Sequence, residues 1–282
     1  MIVNMPSIPF NKPFITEKEK KYIIDILEKG KISGDGYYSK KVCQLMESLF
    51  SINKVLLTTS CSSALDMAAI LLNLKDGDEV ILPSYTFVST ANAVVLRGAK
   101  PVFVDIEEST LNINPMNIEQ KISSRTKAIF IVHYGGISCN MNEVLEISQK
   151  YGLKVVEDAA QGVNAKYQGK YLGTFGDIGT YSFHETKNYT CGEGGALLIN
   201  KDEELMKRAE IIREKGTDRS RFIRGEVDKY TWIDVGSSYL LSDILAALLY
   251  GQLERVEEIK NSRKYIFDYY YNNLADLENM EI

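Results

Sequence analysis

Apolar and polar positions follow two different periods along the chain. Short runs rich in Val, Ile and Leu alternate with longer segments whose apolar residues recur every three to four positions. Such runs are typical of parallel strands buried on both faces, and the segments between them of helices that cover a sheet. Strands are predicted at 55–58, 79–83, 101–105, 128–132, 153–159, 180–183 and 196–200. Helices are predicted at 17–28, 62–72, 86–97, 141–151 and from about 240 towards the C-terminus. The pattern predicts an α/β fold with a doubly wound, mainly parallel sheet.

Composition narrows the function class. The 282 residues are 45% hydrophobic and 25% charged, which is typical of a globular protein of one large or two smaller domains. A net charge of −5 argues against general nucleic-acid binding, which usually needs a basic surface. It leaves room for a local basic pocket that binds an acidic small molecule.

Cysteines, histidines and apolar segments indicate the compartment. The four cysteines form no CxxC pair, and the two histidines, His133 and His184, fall in no metal-binding motif. The N-terminus lacks the features of a signal peptide, and Ser242 and Asp243 interrupt the apolar segment 240–250. We therefore expect a cytoplasmic protein without a zinc site and without a membrane partner.

Polar and aromatic residues follow the first two predicted strands. Ser62 and Ser63 open a helix after strand 55–58, where free backbone N–H groups attract an anion. An ordinary helix cap would explain the same residues. Phe87 follows strand 79–83 and would stack on a planar ligand or pack in the core.

An acid and a lysine follow two later strands. Asp158 ends strand 153–159 and, if buried, needs a partner: a helix N-terminus or a cationic ring nitrogen. Glu157 could take either role, but side chains alternate along a strand, so the two acids face opposite sides. Lys187 lies between a strand and a glycine-rich turn, as either a surface lysine or a nucleophile.

These four features together point to one ligand. Pyridoxal 5′-phosphate needs a phosphate site, an aromatic stacker, a carboxylate for its ring nitrogen and a lysine for its aldehyde. The carboxyl ends of parallel strands, where these residues lie, meet at one edge of the sheet. The sequence contains neither a Walker motif nor GxGxxG, so nucleoside triphosphate and Rossmann dinucleotide sites lose support.

Three segments carry a family resemblance: 77–105, 157–162 and 182–200. They resemble the DegT/DnrJ/EryC1/StrS sugar aminotransferases, and 213–243 resembles the dTDP-4-amino-4,6-dideoxygalactose transaminases of enterobacterial common antigen synthesis. The resemblance implies a fold-type I pyridoxal-phosphate-dependent transferase with three layers, active as a homodimer with shared active sites. It also implies a large domain over 1–245 with an N-terminal arm. Residues 246–282 would then be the start of a C-terminal small domain that the chain largely lacks.

The resemblance also assigns roles to residues. Lys187 would bind the cofactor covalently and move the proton, Asp158 would pair with the ring nitrogen, and Gln161 would lie by the phenolic oxygen. Phe87 would stack on the ring. The phosphate would be held by the amides of Ser62 and Ser63 and the hydroxyl of Ser182. Ser238 stands where many members carry an asparagine that reaches the partner subunit's phosphate.

The implied reaction takes an amino group from L-glutamate to dTDP-4-dehydro-6-deoxy-D-glucose, giving 2-oxoglutarate and dTDP-4-amino-4,6-dideoxy-D-galactose. The substrate diphosphate would meet Arg219, Arg221 and Arg224, although a solvated loop explains these arginines equally well. Asp35 in its Gly-Asp-Gly turn and His184 would face the sugar, or serve as a turn residue and a packed histidine. The alternative is an impaired homologue that binds the cofactor or a partner subunit without turnover.

Overall fold

A central sheet organises the computed structural model, which describes residues 9–275 and 277. Its strands are β1 (Lys54–Thr58), β2 (Glu79–Pro83), β3 (Lys100–Val104), β4 (Thr126–Val132), β5 (Lys154–Asp158), and, after a short hairpin of β6 (Lys166–Tyr167) and β7 (Lys170–Tyr171), β8 (Ile178–Ser182) and β9 (Gly195–Ile199). The seven strands of the sheet have the order β1-β9-β8-β5-β4-β2-β3. Strand β9 alone runs antiparallel to both neighbours, and the other pairs are parallel.

Helices cover both faces of this sheet. They are α1 (Glu17–Lys29), α2 (Tyr37–Phe50), α3 (Cys61–Leu71), α4 (Val88–Val95), α5 (Pro115–Ile118), α6 (Met141–Tyr151), α7 (Glu203–Arg213), α8 (Arg219–Ile223), α9 (Asp243–Leu253) and α10 (Val256–Leu274). Helices α1, α2 and α9 share a core with one face, and α3, α4 and α7 share another with the opposite face. Among the described residues, no helix combines the length and the apolar character needed to cross a membrane.

Most predicted strands agree with the structure to within two residues, because continuous apolar runs bury both faces of β2, β4 and β5. The predicted single helix from about 240 is wrong, since α9 ends before α10 begins. The break occurs where Arg255 leaves helical geometry and its guanidinium donates to Glu19, a fully buried residue of α1. The break is therefore associated with a contact between distant segments, which the local pattern of apolar residues around Arg255 does not reveal.

The predicted domain boundary after residue 245 falls inside α9. Residues Ala246, Ala247 and Leu249 of this helix are fully buried in the same core as α1 and α2. Helix α10, by contrast, buries only Val256 and Ile259. The division into a large domain and the start of a small one stays a prediction.

Helix α9 also completes the N-terminus of α2. The cap residue of α2, Gly36, offers no side chain, and the Asp243 carboxylate accepts instead from the backbone amides of Tyr38 (3.0 Å) and Ser39 (2.7 Å). The Ser39 hydroxyl donates to the same carboxylate at 2.6 Å. A Cβ at position 36 would collide with the Asp243 carboxylate, so the close approach requires glycine. A distant helix thus satisfies donors that a local cap would otherwise bind.

We expect Asp243→Ala to lower the free energy of unfolding by about 2–3 kcal/mol, because it leaves buried amide donors without an acceptor. Urea denaturation followed by circular dichroism measures this. Asp228→Ala, in an exposed loop, is the control and should change stability by less than about 0.5 kcal/mol. Equal stability of the Asp243 variant and the control would show that the capping bonds contribute little.

Candidate active site

The carboxyl ends of β1, β2, β4, β5 and β8 meet around a cavity of about 370 Å³. This volume lies in the range of small-molecule sites. Seven residues singled out in the sequence line it: Ser62, Phe87, Asp158, Gln161, Ser182, His184 and Lys187. The strand ends therefore bring together the anion site, the aromatic, the acid and the lysine.

Asp158 is the buried acid of the cavity, with 4% of its surface exposed. The Thr90 hydroxyl donates to its Oδ2 at 2.7 Å, and the amide of Ala160 donates to its Oδ1 at 3.1 Å. Burial raises the pKa of Asp158, while these two donors and the positive charge of Lys187 act in the opposite direction. A cation placed against this carboxylate would relieve the desolvation that burial imposes.

Glu157 faces the other side of β5, as strand alternation predicts. Its carboxylate accepts from the backbone amides of Gly173, Phe175 and Gly176, at 2.8, 2.6 and 2.6 Å. His133 Nε2 lies 2.9 Å away, and His133 Nδ1 accepts from the Cys139 amide, which places the ring proton on Nε2. Glu157 therefore holds the loop before β8 and does not reach the cavity.

Lys187 lies on a loop that leaves β8 and returns as β9. The loop is closed by backbone bonds from Glu185 to Gly192 and from Cys191 to Phe183, and the Lys187 amide donates to the His184 carbonyl at 2.9 Å. Within residues 9–275 and 277, the Lys187 ammonium group has no ion-pair partner. Its side chain lies in the cavity lining, where no acid of the described residues ties it down.

The N-terminus of α3 forms the hydroxyl-rich wall. Ser60 caps the helix by accepting from the Ser63 amide at 3.0 Å, and Ser62 Oγ lies 2.5 Å from Ser89 Oγ. Gly195, the first residue of β9, lies so close to the backbone of Ser60 and Cys61 that a Cβ would collide with it. The helix terminus is thereby held at the cavity, where its amides favour an anion.

Two further residues shape the mouth of the cavity. Phe87, 70% exposed, is the residue before α4, and Gln161 Oε1 accepts from the Gly135 amide at 2.5 Å. Sequence reasoning missed Tyr134, which also lines the cavity and packs against Tyr85 in a tilted arrangement, with ring centroids 4.5 Å apart. The sequence did contain a signal for Tyr134, because this residue follows the predicted strand 128–132, and the carboxyl end of that strand lies at the same edge of the sheet as the other site residues.

Six predicted site residues lie outside the cavity lining. The Ser63 hydroxyl hydrogen-bonds the hydroxyls of Ser60 and Thr59. Ser238 is exposed, and its backbone pairs with that of Glu214 in an isolated antiparallel β-bridge. Both carboxylate oxygens of Asp35 accept from the Arg213 guanidinium, at 2.7 and 2.8 Å.

The three arginines are paired with acids of their own neighbourhood. Arg219 binds Glu214, Arg221 binds Glu226, and Arg224 binds Glu210 and Glu226. Their guanidinium groups are partly exposed, with roughly 42–45% of each side chain accessible. The roles of all thirteen residues stay predictions, and for these arginines a substrate would have to compete with existing ion pairs.

Comparison with known proteins connects this geometry to a family. The family model of the DegT/DnrJ/EryC1/StrS aminotransferase family matches residues 13–282. Uncharacterized protein MJ1066 of Methanocaldococcus jannaschii is 38% identical over 276 residues, covering 97% of this chain and 71% of that protein. GDP-perosamine synthase of Escherichia coli O157:H7 is 37% identical over 278 residues, covering 97% of this chain and 73% of the enzyme. The structure of Spr1654 from Streptococcus pneumoniae in its PLP form has a TM-score of 0.88 at 28% identity, covering 95% and 72% of the two chains.

The fold is that of the fold-type I transferases, and the cofactor is pyridoxal 5′-phosphate. The residues present fit it: the capped N-terminus of α3 suits a phosphate, and the buried Asp158 carboxylate suits a ring N–H. The exposed Phe87 ring and the unpaired Lys187 amine, both in the cavity lining, suit the ring face and the aldehyde.

We expect Asp158→Asn to stabilise the cofactor-free protein at neutral pH. The pKa of Asp158 in the fold is raised above its ordinary value of 3.8, so its favourable contribution is complete below pH 3.8 and is lost as pH rises through the folded pKa. Urea unfolding at pH 4 and pH 7 should show a gain for the variant that grows with pH. The exposed Asp228→Asn should follow the wild type at both values. A difference independent of pH would contradict the effect of burial.

Proposed function

Because the chain belongs to the DegT/DnrJ/EryC1/StrS aminotransferase family, we propose that it aminates a nucleotide-linked 4-keto-6-deoxy sugar with L-glutamate as the donor. The chain is a pyridoxal-phosphate-dependent enzyme. One observation carries the proposal: a single cavity holds Lys187, the buried Asp158 and the N-terminus of α3. This combination serves amino transfer and has no evident use in a protein that only binds nucleotides.

The bound cofactor supplies an aldehyde that exchanges amines and a ring that withdraws electrons. Lys187 Nζ would take the proton from the α-carbon of glutamate, whose amino group the cofactor would accept while water supplies the keto oxygen of 2-oxoglutarate. In the second half-reaction, Lys187 would return a proton to C4 of the sugar, which would gain the amino group held by the cofactor and lose its keto oxygen as water. Because one site serves both substrates in turn, ping-pong kinetics are expected.

The other cavity residues bind and orient. Asp158 would accept a hydrogen bond from the N–H of the cofactor ring, and Phe87 would cover one ring face. Gln161 Oε1 accepts from the Gly135 amide, which leaves the NH₂ group of Gln161 as the donor that would serve the phenolic oxygen. Ser62 and Ser182 would hold the phosphate, and Ser63 would join them only by exchanging the bond of its amide to Ser60 Oγ for one to the phosphate. His184 Nδ1 accepts from the Thr186 amide and its Nε2 lies 3.5 Å from Glu193 Oε1, so the sugar would have to displace this carboxylate to reach the imidazole.

Two nucleotide sugars are candidates. Segment 213–243 favours dTDP-4-dehydro-6-deoxy-D-glucose, with dTDP-4-amino-4,6-dideoxy-D-galactose as product. The similarity to a GDP-perosamine synthase favours a GDP-linked sugar instead. In either case the diphosphate would meet the arginines of α8, Arg219 and Arg221, together with Arg224, and the sugar would meet the loop of Asp35.

A homodimer with shared active sites completes the proposal. Ser238 is exposed and lies beyond the lining of its own chain's cavity, which suits a residue that serves a partner's phosphate. The arginine-rich segment would then approach the partner's substrate and exchange its acidic partners for the diphosphate.

The wild type should convert one of the two keto sugars to its amino sugar, and Lys187→Ala should lower the rate by about 10²–10⁴-fold or more, because it removes the proton-transferring amine. Mass spectrometry of each product after incubation with glutamate measures both activity and nucleotide preference. Lys121→Ala, at an exposed position, is the matched control with wild-type rates.

Absorbance separates the remaining outcomes. A visible cofactor band that glutamate shifts in the wild type, and that Lys187→Ala lacks, supports the first half-reaction without any sugar. Such a band with no amino sugar from either substrate would support the alternative, a homologue that binds the cofactor without turnover. A colourless protein after added cofactor would contradict the proposal.

A further inference from the structure

The Asp158 carboxylate is held by a chain of two hydroxyl groups behind the cavity. Thr90, fully buried in the first turn of α4, donates to Asp158 Oδ2 at 2.7 Å. Thr86 lies one helical turn earlier, and its hydroxyl donates to Thr90 Oγ1 at 2.9 Å. Phe87 lies between the two threonines in sequence and caps the helix from which Thr90 projects. One short segment therefore carries both the exposed ring and the hydroxyl that binds the acid.

The direction of these bonds distinguishes the two states of the acid. A hydroxyl has one proton to donate, and Thr90 already accepts from Thr86. Its own proton is donated to Asp158 Oδ2, which matches an ionised carboxylate that only accepts. A protonated Oδ2 would need Thr90 to turn and accept a second bond. Hydrogen bonds to a charged acceptor are also about twice as strong as bonds to a neutral one.

The surroundings leave Thr90 as the strongest single side-chain donor. Besides the Ala160 amide, the thiol of Cys61 on α3 lies 3.9 Å from Oδ1, and Lys187 is more distant. His133 also influences Asp158 from a distance, but its ring bonds Glu157 on the other side of β5. The Cys61 pKa is raised well above its ordinary value, mainly by burial, so this thiol stays neutral. Lys187 is the amine that the proposed reaction uses, so its charge changes during turnover.

We propose that Thr90, supported by Thr86, is a positioning residue that keeps Asp158 an ionised acceptor aimed at the cofactor's ring nitrogen. This inference rests on the proposed function, in which Asp158 accepts a hydrogen bond from the protonated ring nitrogen. Thr90 touches neither cofactor nor substrate and acts through Asp158. Loss of its hydroxyl shifts the shared proton from the ring nitrogen towards the carboxylate.

The test uses pyridoxal 5′-phosphate labelled with ¹⁵N at the ring nitrogen, bound to wild type, Thr90→Val and Thr90→Ser. The ¹⁵N chemical shift reports ring protonation directly and does not depend on turnover. Thr90→Val should move this shift towards that of neutral pyridine and weaken cofactor binding by about tenfold or more. Thr90→Ser keeps the hydroxyl and should restore the wild-type shift. Thr86→Val should move it in the same direction by less.

Thr126→Val is the matched control, because Thr126 is a buried threonine whose hydroxyl accepts from Ser123 at the opposite end of β4. It should keep the wild-type shift, and thermal unfolding of every variant without cofactor checks the fold. A wild-type shift in a folded Thr90→Val overturns this inference alone. A wild type that binds no cofactor, or binds it with an unprotonated ring, overturns the proposed role of Asp158 and the inference with it.

Discussion

The site depends on keeping a carboxylate charged where water is nearly excluded. Asp158 ends β5 in the middle of the sheet, so elements from both directions along the chain close around it. Burial alone would neutralise such a group, and the fold opposes this with two fixed donors and a nearby ammonium. An ionised acid without a permanent cationic partner lowers the stability of the free protein, and a bound cationic ligand group offsets this loss.

Strand β5 performs two tasks with adjacent residues. Glu157 is satisfied entirely by backbone amides and a histidine, so it fixes the loop that leads into β8. Asp158 is satisfied only in part and faces the cavity. Strand β8 leads directly to the loop of Lys187. By fixing the start of β8, Glu157 therefore determines the position of Lys187 relative to Asp158.

The sequence was informative where local patterns govern the fold. Continuous apolar runs predicted the strands, and the rule that parallel strands end at one edge predicted that Phe87, Asp158 and Lys187 would meet. Contacts between distant segments left no local pattern: the break at Arg255 depends on Glu19, and the missed helix α2 begins at a glycine capped by Asp243. Likewise, no spacing rule reveals that Thr90 lies against Asp158 or that Arg224 already binds Glu210.

The position of β9 has a consequence for how the protein is made. Thr58 and Gly195 are paired partners, and Gly195 presses against the turn that opens α3, although much of the chain lies between them. Such contacts between distant segments form late, because a long loop must close first. On the ribosome, the phosphate-binding end of α3 can therefore be completed only after β9 has emerged. Until β9 is in place, β1 and β8 each have an unpaired edge, and such edges favour pairing with other chains.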